Sequence, residues 1–233
     1  MPRKSSTTAT PVTPRKTRTR KTTTSRRKSA SKINTSTAQI KVEDVKEVAK
    51  VEGVKRIRYT SPHPRDFDDK LLDVMAKYDN ICDYIHLPLQ AGSNSVLKRM
   101  NRTYNREEFI ALVNKIRSVL PNCSISTDII VGFPGESEED FLETLDMMKI
   151  NKFNFAYMFK YSSRPGTKAA EYDNQIDEHV KQKRLEQLIE LQSEITLFQN
   201  KKKIGSIEYI MIEKESKKSR DFWSGRTDGN TWT

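Results

Sequence analysis

Residues 126–136 read Ser126-Thr-Asp-Ile-Ile-Val-Gly-Phe-Pro-Gly-Glu136. An apolar, β-branched run meets a Gly-Phe-Pro-Gly turn, and Ser137-x-x-Asp140 then supplies the capping box that opens a helix. A strand over 124–131 feeding directly into a helix is half of a βαβ unit, and the next strand returns parallel to it. The same order recurs on both sides. Upstream, 82–87 reads as a strand, followed by helices over 93–100 and 105–119; the second carries Phe109, Leu112, Val113, Ile116 and Leu120 at helical spacing. Before them, Val42, Val45, Val48 and Ala49 mark one face of a short helix, 56–60 reads as a strand and 68–77 as a helix. Downstream, Phe141, Leu142, Leu145 and Met148 line a helix that leads to a strand over 153–161. The turn Arg164-Pro165-Gly166 and a long helix over 177–201 follow.

Four strands alternating with helices predict an α/β fold with a parallel sheet, open or part of a barrel, because closing a (βα) barrel takes eight. After Gly205 the pattern changes to short alternating strands, which read as the opening of a small β-barrel without its last strands. The expected organisation is a disordered tail over 1–40, the α/β part over 41–203 and the β module over 204–233.

Charge divides at the first boundary. Residues 1–32 hold eleven Lys/Arg and no acid, leaving 31 basic against 31 acidic residues in the rest of a chain whose net charge is +11. Such a Ser/Thr-rich basic tail cannot bury enough apolar surface to order itself, and it would pair with phosphates without reading sequence. No apolar run approaches the roughly 20 residues that cross a bilayer, and no apolar signal segment opens the chain, so it reads as cytoplasmic with no membrane partner. Cys82 and Cys123 stand 41 positions apart, a spacing of neither a metal site nor a disulfide framework, so each is expected to be a buried small hydrophobe.

Ligands of parallel sheets bind beyond the strand C-termini, and four loops lie there. They are Ser61-Pro-His-Pro64, His86-Leu-Pro-Leu-Gln-Ala-Gly-Ser93, Asp128-Ile-Ile-Val-Gly-Phe-Pro-Gly-Glu136 and Tyr161-Ser-Ser-Arg-Pro-Gly-Thr167. Asp128 is the most informative residue, because an acid inside an apolar strand needs a partner or a cavity. Gln90, Ser93 and Asp128 are expected to line the crevice, against the alternative that each serves a turn or a cap. Arg164 sits in a turn stiffened by Pro165, where a planar charged fork suits a phosphate or a carboxylate; the alternative is a salt bridge to Glu136 or Glu171.

Together these strings, with Arg56-Ile-Arg-Tyr-Thr-Ser-Pro-His-Pro64, Met100-Asn-Arg102 and Phe159-Lys-Tyr-Ser-Ser-Arg-Pro-Gly-Thr167, closely resemble successive motifs of radical SAM tRNA methylthiotransferases of the MiaB type. The resemblance runs from about residue 41 to the end, with 207–232 similar to the start of that family's TRAM module. It implies a partial radical SAM (βα) barrel that uses S-adenosylmethionine and 4Fe-4S clusters to place a 2-methylthio group on an isopentenylated adenosine beside the tRNA anticodon. From their places at the strand ends, Gln90, Ser93 and Asp128 are expected to contact S-adenosylmethionine, and Arg164 is the candidate substrate-side contact, to a tRNA phosphate or to the carboxylate of S-adenosylmethionine. Intact relatives hold one cluster on a Cys-x-x-x-Cys-x-x-Cys loop and a second in an N-terminal domain. Neither Cys82 nor Cys123 matches a cluster position, so no catalytic or metal residue is assigned. The chain is expected to be inactive alone, as part of a truncated or split enzyme whose N-terminal half is supplied in trans. A non-catalytic RNA-binding module, using the basic tail and the TRAM-like surface, is the alternative.

Overall fold

The computed structural model describes residues 41–59, 63–217, 219 and 221–233. The tail expected over 1–40 and the loop residues Ser61 and Pro62 lie outside them. Three parallel strands form one sheet in the order β1 (Tyr84–His86), β2 (Ser124–Val131) and β3 (Phe155–Lys160). The helices between and around them are α1 (Val42–Ala49), α2 (Asp69–Lys77), α3 (Asn94–Arg99), α4 (Arg106–Val119), α5 (Glu138–Asn151) and α6 (Glu178–Lys201). Two capping boxes set the helix starts. Asn105 and Glu108 close the first turn of α4, and Ser137 and Asp140 that of α5, so four otherwise unpaired amide ends are satisfied in reciprocal pairs.

Period-two alternation decides which face is covered. Ile85, Leu87, Ile125, Ile129, Val131 and Ala156 point to one side, are all buried, and pack with α4, α5 and α6 into the core built on Phe109, Phe141 and Phe153. The opposite face carries Tyr84, His86, Ser126, Asp128, Ile130, Phe155, Tyr157 and Phe159, and the last three remain about half exposed. One face is therefore a hydrophobic core and the other an open polar and aromatic surface.

The strand expected over 56–60 contracts to a single parallel bridge between Ile57 and Ile81. Its flanking arginines are spent elsewhere. Arg56 pairs with Asp228 at 2.8 Å and donates to the carbonyls of Arg226 and Tyr209, while Arg58 donates to the carbonyl of Thr227 at 2.5 Å. These bonds dock the C-terminal segment, an antiparallel ribbon of β4 (Ile210–Glu215) and β5 (Trp223–Thr227), onto the edge of the α/β part. The described residues show this two-stranded ribbon and no closed barrel. Gly225 is required within it, since a Cβ there would stand 2.2 Å from the carbonyl oxygen of Met211.

Candidate functional site

On the open face, the sheet register brings His86 opposite Ser126, and Ser126 lies two residues before Asp128 on the same side of β2. His86 Nε2 stands 3.3 Å from Asp128, and its Nδ1 2.8 Å from Ser126 Oγ, which in turn lies 2.7 Å from the Tyr84 hydroxyl. One donor order satisfies every atom: Tyr84 donates to Ser126, Ser126 to Nδ1, and the Nε2–H to the Asp128 carboxylate. Asp128 thus has the partner its sequence position demanded. That partner is His86, whereas His63 packs against the Tyr104 ring. Tyr157 stands edge-on to His86 with centroids 5.7 Å apart, and Phe155 continues the aromatic surface.

Just past the strand ends, Gln90 is held at φ 71°, a left-handed conformation that is uncommon outside glycine. It is pinned on both sides by β2: its N–H donates to the Asp128 carbonyl at 2.7 Å and its carbonyl accepts from Ile130 at 2.8 Å. The Gln90 side chain borders a cleft of about 530 Å³ lined also by Arg99, Arg102, Lys168, Phe133 and Tyr161. Ser93 has a different task. Its hydroxyl accepts from the Ser95 amide as the N-cap of α3 and donates to Asp140 at the start of α5. Arg164 lies in an exposed turn whose carbonyl accepts from the Thr167 amide and hydroxyl, with Gly166 at φ 80°. Among the described residues its guanidinium has no ion-pair partner; Glu136, one acid considered for it, pairs with Arg184 instead. The structure therefore joins Gln90 and Asp128, sets Ser93 at a helix junction and leaves Arg164 in an exposed turn that does not line the cleft.

Asp140 ties α3 to α5 by accepting from Ser93, Ser95, Arg99 and the Ser137 amide. Burial opposes its charge, but these four donors outweigh burial and hold the carboxyl at about 2. A depressed folded value contributes stability above the unfolded value near 3.9, lost as pH falls toward 2. Since the group is partly solvated, we expect wild type to lose about 1–2 kcal/mol more than Asp140→Asn between pH 5 and pH 2, measured by urea unfolding.

Cys82 and Cys123 are free and buried, and burial raises both thiols, Cys123 to about 12. Among the described residues no group of three or more His, Cys, Asp or Glu could hold a metal ion, and no helix is long and apolar enough to cross a membrane.

Sequence reasoning missed the cations and aromatic rings of the cleft. Met100-Asn-Arg102 and Tyr161 stand in the quoted strings, but charge beside a helix end reads as a solvated face until the fold closes around it.

Comparison with known proteins bears on all these residues. The radical SAM superfamily profile matches residues 34–148. The tRNA-2-methylthio-N(6)-dimethylallyladenosine synthase of Fusobacterium nucleatum subsp. nucleatum is 49% identical over 184 residues, 79% of this chain and 42% of that protein. The synthase of the same name from Natranaerobius thermophilus is 49% identical over 183 residues, 78% of this chain and 41% of that protein. This chain thus spans about two fifths of the length of these curated relatives. Coproporphyrinogen III oxidase from Escherichia coli, a radical SAM enzyme, superposes with a TM-score of 0.49 at 22% identity over 58% of this chain and 31% of that one, too slight a likeness to add to the sequence matches. By its parallel βα units, its strand-end strings and this identity, the chain belongs to the radical SAM methylthiotransferase family of the MiaB type.

Proposed function

We propose that this chain is the cofactor-binding and tRNA-facing part of a methylthiotransferase that places a 2-methylthio group on isopentenylated adenosine beside the anticodon. Its identity to two synthases of that name over more than three quarters of its length carries the reading. Neither Cys82 nor Cys123 stands in a Cys-x-x-x-Cys-x-x-Cys loop, so these residues by themselves are inactive and the 4Fe-4S centres are held by cysteines outside them. The ribbon over 210–227 is the start of a TRAM-like module, and the protein works in the cytoplasm.

Asp128 and the Gln90 amide would hold S-adenosylmethionine, the Asp128 carboxylate offsetting its positive sulfonium and ammonium. Ser93 acts as a positioning residue through the turn it caps. When bound, the cofactor supplies the activated methyl and the radical chemistry; these residues orient it. Arg164, on a stiff exposed turn without an acid partner among the described residues, meets a tRNA phosphate.

Asp128→Asn keeps the shape and removes the charge. Equilibrium dialysis of S-adenosylmethionine against the chain should then show about tenfold weaker retention, the equivalent of one charge-assisted contact, at an unchanged melting temperature. Equal retention by wild type and variant removes Asp128 from the cofactor site.

A further inference from the structure

Of the polar side chains joined on the open face of the sheet, Tyr84, Ser126, His86 and Asp128, only Asp128 has a proposed task. Strand register builds the row. His86 stands opposite Ser126 across the parallel pair β1 and β2, while Tyr84 precedes His86 and Asp128 follows Ser126 by two residues on the same face. Each hydroxyl has one proton to give. If Ser126 gave its proton to Tyr84, the 2.8 Å contact with His86 would need a proton on Nδ1. A neutral ring would then turn the bare Nε2 lone pair toward the Asp128 carboxylate 3.3 Å away, and two acceptors repel. With Tyr84 donating to Ser126 and Ser126 to Nδ1, the Nε2–H tautomer satisfies every contact. Little water can substitute for these partners, since the His86 side chain is 17% exposed and Tyr157 of β3 packs edge-on against its ring.

We infer that His86 is a positioning residue of the cofactor site, holding the Asp128 carboxylate through an Nε2–H tautomer that Tyr84 and Ser126 lock. The inference rests on the proposed contact between Asp128 and S-adenosylmethionine. An aspartate without a fixed partner turns about χ1 and χ2, and each rotamer points its charge elsewhere. A neutral imidazole that donates to one oxygen holds the carboxylate without cancelling its charge, and the other oxygen keeps its lone pairs for a cationic group of the ligand. A lysine or arginine in the same place would hold it equally well and neutralise it. Among the described residues no Lys or Arg pairs with Asp128; its partner is His86. Tyr84 and Ser126 act on Asp128 only through the ring, so each can be altered without touching the carboxylate.

The test compares variants of the full chain by equilibrium dialysis of S-adenosylmethionine and by nitrogen-15 NMR of the histidine rings, the His86 signals being those absent from His86→Gln. Wild type should show His86 as the Nε2–H tautomer. Ser126→Ala should turn it into a mixture of both tautomers and weaken retention about threefold. His86→Leu should weaken retention about fivefold, while His86→Gln, whose amide N–H stands in for Nε2–H, should return it to within about twofold of wild type. If His86→Leu melts early, Tyr84→Phe carries the test; it removes one hydroxyl and should loosen the tautomer and cost about twofold in retention. An Nδ1–H ring in wild type, or a tautomer unaltered in both Ser126→Ala and Tyr84→Phe, overturns the inference. Equal losses in His86→Leu and His86→Gln overturn it too, because ring packing and not the proton then matters. Retention by His86→Leu equal to or above wild type, while Asp128→Asn is impaired, overturns the inference and leaves the Asp128 reading standing. Unchanged retention by Asp128→Asn, or none by wild type, overturns both.

Discussion

Arg184→Met should lower the unfolding free energy by about 3–5 kcal/mol, a large share of what a domain of this kind possesses. Arg184 and Glu136 are almost fully buried, and Arg184 Nη1 lies 2.8 Å from the Glu136 carboxylate and 3.1 Å from its carbonyl. Glu136 also accepts from the Gly132 amide at 2.9 Å, so this ion pair holds the Gly-Phe-Pro-Gly turn in shape, and Nη2 reaches Glu138 at 3.1 Å. Removing the arginine leaves a buried carboxylate with only the Gly132 and Phe133 backbone donors. Burial already raises the Glu136 carboxyl above its ordinary range, against the pull of Gly132 and Arg184. Without Arg184 it rises further. A raised folded value means that stability is fully present below the unfolded value near 4.3 and is lost as pH climbs through the folded one. The deficit of the variant should therefore be larger at pH 8 than at pH 5 in urea unfolding. A pH-independent deficit would show that the lost packing over Phe141, 5.4 Å from the guanidinium, dominates.

That pair marks a limit of sequence reading. Strand β2 was legible at 124–131 because its apolar run is bounded by turn residues, and α5 because Ser137 and Asp140 stand at capping-box spacing. What stayed hidden depends on residues far apart in the chain. Glu136 and Arg184 are separated by 48 positions. Arg56 and Arg58 alternate with apolar residues as a strand would, yet their side chains bind a ribbon some 170 residues away and pairing shrinks to one bridge. At the site, Asp128 announced itself by breaking an apolar run. Lys98, Arg102 and Lys168 broke no pattern, and only the fold shows that no acid accompanies them in the cleft.

Gly92→Ala should cost about 3 kcal/mol through overpacking alone. Gly92 follows Gln90 by two residues, and its amide donates to Thr144 Oγ1 at 3.0 Å, laying the loop after β1 directly on α5. A Cβ there would stand 2.3 Å from the Thr144 Cα, 2.6 Å from the Glu143 carbonyl oxygen and 2.7 Å from the Thr144 nitrogen. All three are helix backbone, which cannot rotate aside as a side chain would. Either α5 moves or the loop lifts, and lifting carries Gln90 and Ser93 away from β2 and Asp140. Gly166→Ala is the comparison: nothing lies within 4 Å of its Cβ position, and only its φ of 80° is strained, at about 1 kcal/mol. Thermal melts of both variants should rank Gly92→Ala well below Gly166→Ala, and equal losses would mean that the loop yields freely.

The central proposal is that these residues supply the ligand-binding part of a methylthiotransferase whose cluster ligands lie outside them. Its most direct test mixes the purified chain with the part of the Fusobacterium nucleatum relative that this chain does not match, iron, sulfide, reductant, S-adenosylmethionine and an isopentenylated tRNA. The RNA is then digested, and the nucleosides are separated by liquid chromatography and weighed by mass spectrometry. The account predicts 2-methylthio nucleoside from the mixture and none from either part alone. No product from the mixture, under conditions where the intact relative forms it, or product from this chain by itself, would contradict the account.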